Sequence, residues 1–264
     1  MPILIKSRDE VEKMRRAGHI AASVLQKMRA AVRPGITTAE LNEIARIEFD
    51  KVGAVAMTKN YPTYRPGEGY PAETCISVNE EIVHGIPGPR KLKNGDVVTL
   101  DVTPTIDGYC ADTALTVSVG DISPAVQRLL TVTKEALDLA LSHMKPGKLW
   151  SEIARLVQHK IESNGFSIVR EFVGHGVGKR MHEDPKIPNF VTAEQLRTDF
   201  KLRKGMTLAI EPMVVMGDRE VLQLEDNWTI ITADRSIAAH FEHTVAVTDT
   251  GVDILTDGRA PWGL

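Results

Sequence analysis

The sequence predicts an α+β protein whose two similar halves each place helices on one face of an antiparallel sheet. Capping signals mark the starts of several helices, and alternating apolar stretches with tight-turn signals predict antiparallel strands. The order of helix, Pro-Gly stop, helix and glycine occurs twice along the chain. We therefore expect one sheet with the helices on a single face, which leaves the other face free for a site between the halves.

The composition is that of an ordinary globular protein: 264 residues, 42% hydrophobic, 25% charged, with a net charge of −3. The near-neutral charge gives no electrostatic reason to expect nucleic-acid binding. No apolar run approaches the ~20 residues of a membrane span, and the N-terminal apolar stretch is too short for a signal peptide. We therefore expect a cytoplasmic protein, in which Cys75 and Cys110 are free thiols.

Two capping boxes open the helices of the first half. One at residues 7–10 precedes a helix that runs to about Val32, and one at residues 37–40 precedes a helix that ends near Gly53. The inward face of the second helix is Leu41, Ile44, Ala45 and Phe49. A short strand at 54–57 follows.

A loop at residues 60–74 holds three of the four tyrosines, Tyr61, Tyr64 and Tyr70. Aromatic residues in a loop often line a pocket, but they can equally form the private core of an Ω-loop. The sequence favours neither.

Residues 95–116 form the predicted central hairpin. Asp107-Gly108 is a two-residue turn signal, which places Asp112 opposite Thr103 and diagonal to Asp101. Diagonal Cβ atoms lie somewhat under ~7–8 Å apart, close enough for two carboxylates to share metal ions. Pro104 implies an edge or a bulge that could shift this register. On this stretch alone, a solvated hairpin face with two ordinary acids is the simpler interpretation.

The second half repeats the helical signals. Ser123-Pro124 opens a helix to about Met144, and Ser151 or a neighbour opens another, with Ile153, Leu156, Val157 and Ile161 inward. A shift of 112 residues superposes Arg33-Pro34-Gly35 on Lys145-Pro146-Gly147, Glu40-Leu41 on Glu152-Ile153, and Gly53 on Gly165. This pattern predicts an internal duplication, with halves at roughly 1–117 and 118–264.

Several residues suggest chemistry once standard motifs are excluded. The chain has no dinucleotide or phosphate-loop glycine motif, no G-x-S-x-G and no H-E-x-x-H. Glu211 and Glu242 lie in apolar strands, where an acid is rarely buried unless it is paired or metal-bound. For Glu211 or Glu242 taken alone, an acid that forms a salt bridge in the core is the simpler interpretation. His175 lies between two glycines, which fits a turn or a position that a substrate can approach closely.

Five segments together carry a resemblance to a known family: SVNEEIVHGIP at 77–87, LDVTPTIDGYCADT at 100–113, GHGVG at 174–178, AIEPMV at 209–214 and FEHTVAVT at 241–248. They are similar to the type I methionine aminopeptidases over nearly the whole chain. The resemblance implies the pita-bread fold, in which two pseudo-symmetric halves cover one face of a curved antiparallel sheet with helices. It also implies one catalytic domain, 1–264, in which two metal ions are bound by Asp101, Asp112, His175, Glu211 and Glu242.

This set of residues is chemically coherent. Four carboxylates and one neutral imidazole balance the charge of two divalent cations, and such ligands suit Co, Mn, Fe or Zn, with Mg also possible. Two ions can share one water and bring its pKa toward ~7. Glu211 is also expected to accept the proton of that water. His84 and His182 match the non-ligand histidines of the family and are expected to hydrogen-bond the substrate.

The resemblance also implies a pocket for the methionine side chain, with Tyr70, Cys75 and Trp228 in its walls and Met181 where aromatic residues are common. A wall tyrosine expected near Gly67 is missing, and Tyr64 is a candidate substitute. The segment 218–226 is acidic overall, with Arg219 as its one positive residue. We therefore do not expect the basic surface there with which bacterial relatives associate with ribosomes.

The implied activity is removal of the initiator methionine from nascent proteins when the second residue is small, by a monomer. The Met1-Pro2 start of this chain would itself be such a substrate. One alternative is an Xaa-Pro aminopeptidase or prolidase, but those usually carry an extra N-terminal domain, for which the helix at 7–32 leaves no room. Another is an inactive peptide-binding relative, which predicts lost ligands.

Overall fold

The computed structural model describes residues 2–62 and 69–258. Five helices lie in these ranges, and the first four form two pairs that are adjacent in sequence and in space. The helices are α1 (Arg8–Ala31), α2 (Thr38–Val52), α3 (Pro124–His143), α4 (Trp150–Glu162) and α5 (Ala193–Arg197).

The strands are short and pair only in antiparallel fashion within the described residues. Those before α3 are β1 (Val55–Ala56), β2 (Cys75–Val78), β3 (Glu81–Val83), β4 (Val97–Val102), β5 (Pro104–Ile106), β6 (Tyr109–Cys110) and β7 (Thr113–Ser118). Those after α4 are β8 (Ser167–Ile168), β9 (Gly174–Gly176), β10 (Glu183–Ile187), β11 (Thr207–Ile210), β12 (Met213–Val215), β13 (Val221–Gln223), β14 (Ile230–Thr232), β15 (Ala238–His240), β16 (His243–Val247) and β17 (Val252–Ile254).

These strands are hydrogen-bonded in five sheets, where we expected one continuous sheet. The sheets run β2-β4-β7, β10-β9-β11-β16-β17, β1-β5-β6, β15-β12-β8 and β13-β14-β3. Strands β7 and β15 are joined through a side chain and not through backbone pairing. The hydroxyl of Thr116 donates to the carbonyl of His240 and accepts from its N–H, both at 2.8 Å. The mixed helix and antiparallel sheet architecture is as predicted.

The helix starts were largely predictable from local sequence. Both capping boxes form, with Ser7 and Thr37 as N-caps, and Ser123 caps α3. The start of α4 is different, because its N-cap is Leu149, which provides no side-chain hydrogen bond. Leu156, which we expected to be buried, is 41% exposed. The buried stripe of α4 is instead Trp150, Ile153, Ala154, Val157 and Ile161.

The predicted repeat is visible in the backbone. Gly35 and Gly147 both follow a helix with positive φ, +89° and +87°. Their N–H groups donate to Leu92 and Leu202, each at 2.8 Å. The second helix of each pair is followed by a positive-φ glycine, Gly53 or Gly165. Matching sequence signals therefore give matching conformations in the two halves.

The core follows the same division. One large buried cluster joins α1 and α2 to β2 and β4, and another joins α3 and α4 to β11, β12 and β16. None of the helices described is both long enough and apolar enough to cross a membrane.

Candidate metal centre and substrate cavity

The hairpin at 95–116 has the predicted register. Asp107 and Gly108 form the turn with φ of +52° and +76°. Val102 pairs with Thr113 before the corner at Pro104, and Thr105 pairs with Cys110 after it, so no residue is gained or lost at the corner. As predicted, Thr103 lies opposite Asp112, and its hydroxyl donates to Asp112 Oδ1 at 2.7 Å.

Asp112 and Glu242 are brought together where the two halves meet. The N–H of Asp112 donates to the hydroxyl of Thr244 at 2.8 Å. The N–H of Glu242 donates to the carbonyl of Ala114 at 2.9 Å, and the hydroxyl of Thr113 donates to the carbonyl of Glu242 at 2.8 Å. Two acids that are far apart in sequence are thus fixed side by side.

His175 lies in strand β9 and not in a turn. A Cβ on Gly174 would lie 2.4 Å from the carbonyl oxygen of Ala209, and one on Gly176 would lie 2.3 Å from that of Asp184. The two glycines are therefore required by neighbouring backbone, whereas we had considered the approach of a substrate. Nδ1 of His175 lies 2.9 Å from the carbonyl oxygen of Gly176, so the ring proton lies on Nδ1 and Nε2 is left as an acceptor or ligand.

The Nε2 atom of His175 points into a cluster of acids. It lies 3.8 Å from Asp112 Oδ2 and 3.4 Å from Glu211 Oε1. Potential ligand atoms of Asp112, His175 and Glu242 all lie within 4.8 Å of one another. Asp101 is on β4, paired with Cys75 and Ala114, and burial together with the charge of Asp112 raises its pKa. The four acids and His175, predicted from four separate segments of the sequence, therefore lie in one part of the structure.

Burial raises the pKa of all four carboxyl groups, and neighbouring acids add to the effect for Asp101, Glu211 and Glu242. Burial also lowers the pKa of His175 to about 4. No lysine or arginine among the described residues forms an ion pair with these acids, and the Oε1 atoms of Glu211 and Glu242 have no hydrogen-bond partner there. Buried acids without a cation are costly, so the donor set fits divalent metal ions.

His240 was missed by the sequence analysis. It ends β15, is 2% exposed, and its Nε2 lies 3.7 Å from Glu211 Oε2 and 4.0 Å from Glu242 Oε2. Burial lowers its pKa to about 3. One signal was available, because residues two apart in a strand share a face, and His240 is two residues before Glu242.

A cavity of about 270 Å³ lies next to the cluster. Its walls include all six residues expected to contact substrate, namely Tyr70, Cys75, His84, Met181, His182 and Trp228. The sequence did not identify Phe172 and Met213, which add to its apolar surface. A larger cavity of about 510 Å³ shares Val173 with it but contains none of the clustered acids in its walls.

The two non-ligand histidines occupy different places in this cavity. His84 follows β3, is half-buried and has a positive φ of +60°, and burial lowers its pKa to about 4. His182 is exposed at the mouth, where its Nδ1 lies 2.7 Å from the hydroxyl of Tyr61 and its ring centroid lies 4.3 Å from that of His175. Both imidazoles therefore border the space beside the acids.

The tyrosine-rich loop contributes both to packing and to the cavity. Tyr70 is buried, donates to the carbonyl of Gly85 at 2.8 Å, and meets Trp228 edge to face at 5.2 Å. Tyr61 packs against the same small cluster and also lines the cavity. Tyr64, the proposed substitute for a wall tyrosine near Gly67, lies outside the described residues. Cys75 is a buried free thiol in the wall, and burial raises its pKa.

Known proteins share this fold and sequence. The model of metallopeptidase family M24 matches residues 12–249. The chain is 45% identical to methionine aminopeptidase 1 of Bacillus subtilis over 96% of this chain and 99% of that protein. It is 43% identical to methionine aminopeptidase of Escherichia coli strain K12 over 97% of this chain and 94% of that protein.

Solved structures of related proteins have the same fold as this chain. A methionine aminopeptidase from Thermotoga maritima superposes with a TM-score of 0.91 at 42% identity, covering 97% of this chain and 99% of that one. A prolidase from Pyrococcus furiosus superposes with a TM-score of 0.76 at 22% identity over 66% of its length, and this likeness concerns the fold alone.

The fold and the cluster of acids thus define a metallopeptidase with the pita-bread architecture. The chain belongs to metallopeptidase family M24 and, within it, to the bacterial type I methionine aminopeptidases.

Proposed function

We propose that this protein removes the N-terminal methionine from proteins and peptides whose second residue is small. The observation that carries this proposal is a buried group of acids at one end of an apolar cavity, which no lysine or arginine of the described residues pairs with. The names of relatives that are more than 40% identical over almost their whole length support the same activity.

The proposed metal ligands are Asp101, Asp112, His175, Glu211 and Glu242. When bound, two divalent ions supply a water of lowered pKa and polarise the peptide carbonyl. The ions also supply the positive charge that the buried carboxylates lack, so that the carboxylates remain ionised. The donor set of carboxylates with one imidazole suits Co, Mn, Fe or Zn.

The proposed roles of the other residues follow from their positions. Tyr70, Cys75, Met181 and Trp228 surround an apolar space that suits the methionine side chain and excludes water from it. Glu211 accepts the proton of the attacking water and transfers it to the leaving amine.

The two cavity histidines are proposed to bind the reacting peptide group. With the hydroxyl of Tyr61 donating to His182 Nδ1, the proton of His182 lies at Nε2, from which it can donate to the peptide oxygen. His84, which lines the same cavity, is proposed to hydrogen-bond the substrate backbone.

We further propose that residues 1–264 form one catalytic domain that acts as a cytoplasmic monomer on the N-termini of nascent chains. Ribosome docking through residues 218–226 is not part of this proposal, because that segment carries one cation, Arg219, among its acids.

The test compares three peptides with chelator-treated protein and with protein reloaded with Mn²⁺, Co²⁺, Fe²⁺ or Zn²⁺. We expect release of the first residue from Met-Ala-Ser by reloaded protein, little release from Leu-Ala-Ser, and none without metal. Release from Ala-Pro-Ser alone would identify an Xaa-Pro enzyme instead. Failure with every peptide and metal would indicate a binding protein.

A further inference from the structure

We propose that His240 is a positioning residue of this metal centre, whose imidazole N–H holds one oxygen of Glu211 and so presents the other toward His175. This inference rests on the proposed function, since it concerns the same centre. It adds a residue that the family motifs in this sequence did not indicate.

The imidazole of His240 is buried beside the acids of the centre. Neither of its ring nitrogens has a hydrogen bond within the described part of the chain, although the residue is only 2% exposed. Buried polar atoms are nearly always hydrogen-bonded, so each exception requires an explanation. The nearest polar atoms to Nε2 are Glu211 Oε2 at 3.7 Å and Glu242 Oε2 at 4.0 Å.

The two oxygens of Glu211 face different histidines. Oε1 lies 3.4 Å from His175 Nε2, whereas Oε2 lies 3.7 Å from His240 Nε2. A nitrogen lone pair would be repelled by two carboxylate oxygens, so the proton of His240 belongs on Nε2. A hydrogen bond needs a separation of about 2.7–3.2 Å, which a displacement of less than ~1 Å would provide.

Other residues of the centre already have this kind of support. Oδ1 of Asp112 accepts from Thr103 while Oδ2 faces His175, and Nδ1 of His175 donates to the carbonyl of Gly176 while Nε2 faces the acids. Such outer partners orient metal ligands. Among the residues that the structure describes, His240 is the one placed to give Glu211 comparable support.

The backbone of His240 is fixed well enough for this role. It pairs with Met213, two residues after Glu211, and is bonded on both its N–H and its carbonyl by the hydroxyl of Thr116. The backbone of His240 is therefore held by β12 and β7 together, with the buried imidazole beside Glu211.

The test uses two substitutions and one control. H240L keeps an apolar side chain of similar size but no donor, and H240Q keeps an N–H donor. H243Q is the control, because His243 is the neighbouring histidine whose ring meets Thr256 and not the acids. Mn²⁺ is titrated into chelator-treated protein by calorimetry, and thermal melts check that each variant is folded.

We expect H240L to bind Mn²⁺ about 10- to 100-fold more weakly than wild type, as is typical when an outer partner of a ligand is lost. H240Q is expected to recover most of that loss, and H243Q to match wild type. An H240L affinity equal to wild type would overturn the proposal. If wild-type protein binds no Mn²⁺, the proposed function fails instead.

A crystal structure of wild-type protein grown with Mn²⁺ tests the geometry even if H240L does not fold. We expect Nε2 of His240 within about 3.2 Å of Glu211 Oε2. A direct bond from Nε2 to the ion, or an imidazole turned away from Glu211, would overturn the proposal.

Discussion

Asp112 and Glu211 show how single residues set up the proposed chemistry. Each points one oxygen at His175, and burial raises the pKa of each. A hydrogen bond from Thr103 partly opposes this rise for Asp112, whereas the charges of Asp112 and Asp101 add to it for Glu211. Both carboxylates therefore need nearby positive charge to stay ionised, which the proposed metal ions would supply.

Replacing Glu211 should abolish turnover with little effect on the fold. We expect E211A and E211Q to lower kcat for Met-Ala-Ser by about 10²–10⁴-fold or more, because general acid-base transfer and a metal ligand are lost together. E220Q is a suitable control, since the side chain of Glu220 is 71% exposed on the surface. Near-normal turnover by E211Q with a full metal content would remove Glu211 from the mechanism.

His243 offers a pH-dependent measurement away from catalysis. Burial lowers its pKa from 6.5 to about 4, so the folded protein binds fewer protons there than the unfolded chain. The contribution of His243 to the stability of the fold is therefore fully present above pH ~6.5, and it is lost as the pH drops toward ~4. In H243Q the slope of unfolding free energy against pH should be smaller by up to about 1.4 kcal/mol per unit. Urea titrations between pH 7 and 5 in EDTA measure this, and parallel slopes would contradict it.

At the scale of elements, the segment before α1 holds the loop that carries Met181 and His182. Lys6 and Glu183 form a buried ion pair, with side chains 6% and 2% exposed. Glu183 also accepts from the N–H groups of Lys179 and Arg180 at 3.1 and 3.3 Å. The loop is thus tied to a strand-like segment from the opposite end of the sequence.

Removing the charge of Lys6 should affect both stability and substrate binding. K6M leaves Glu183 buried without its cation, which typically costs about 3–5 kcal/mol. We also expect a higher KM for Met-Ala-Ser, because His182 is less well placed. K204M is the matched control, since the side chains of Lys204 and Asp249 are 66% and 73% exposed and such pairs contribute about 0–1 kcal/mol. Equal unfolding midpoints for the two variants would contradict this role.

Elements were predictable where their cause is local. The capping boxes and the Asp107-Gly108 turn each depend on a few consecutive residues, and all formed as predicted. The predicted burial of Leu156 was wrong, because the sequence does not reveal whether an apolar residue next to the buried stripe of a helix faces the core or the solvent. The division into five sheets was not predictable, because contacts such as Thr116 with His240 join distant segments. The role of His240 was not predictable either, because the residues that hold it come from the distant strands β7 and β12.

At the scale of the whole molecule, the proposed ligands are divided between the halves. Asp101 and Asp112 come from the part of the chain before α3, and His175, Glu211 and Glu242 from the part after α4. Bound ions would neutralise repulsion among acids from both halves, so metal should stabilise the complete fold and not merely the site.

Chelation should therefore lower the melting temperature, and added metal should restore it. At a free metal concentration 100 times the Kd, binding adds about 2.7 kcal/mol of stability. D112N, with one proposed ligand altered, should respond less to both treatments. Differential scanning calorimetry with and without EDTA measures the effect. A wild-type melting temperature that is the same in EDTA and in Mn²⁺ would argue against coupling between metal and fold.

The join between β7 and α3, at residues 119–123, is the point where the chain passes from one repeat to the other. A gene cut at that point would yield one polypeptide with two of the proposed ligands and another with three. Neither polypeptide alone could assemble the centre, and only their co-expression would restore it. The division of the proposed ligands thus makes the protein a candidate for a split reporter, in which recovered peptidase activity signals that two fused proteins have met.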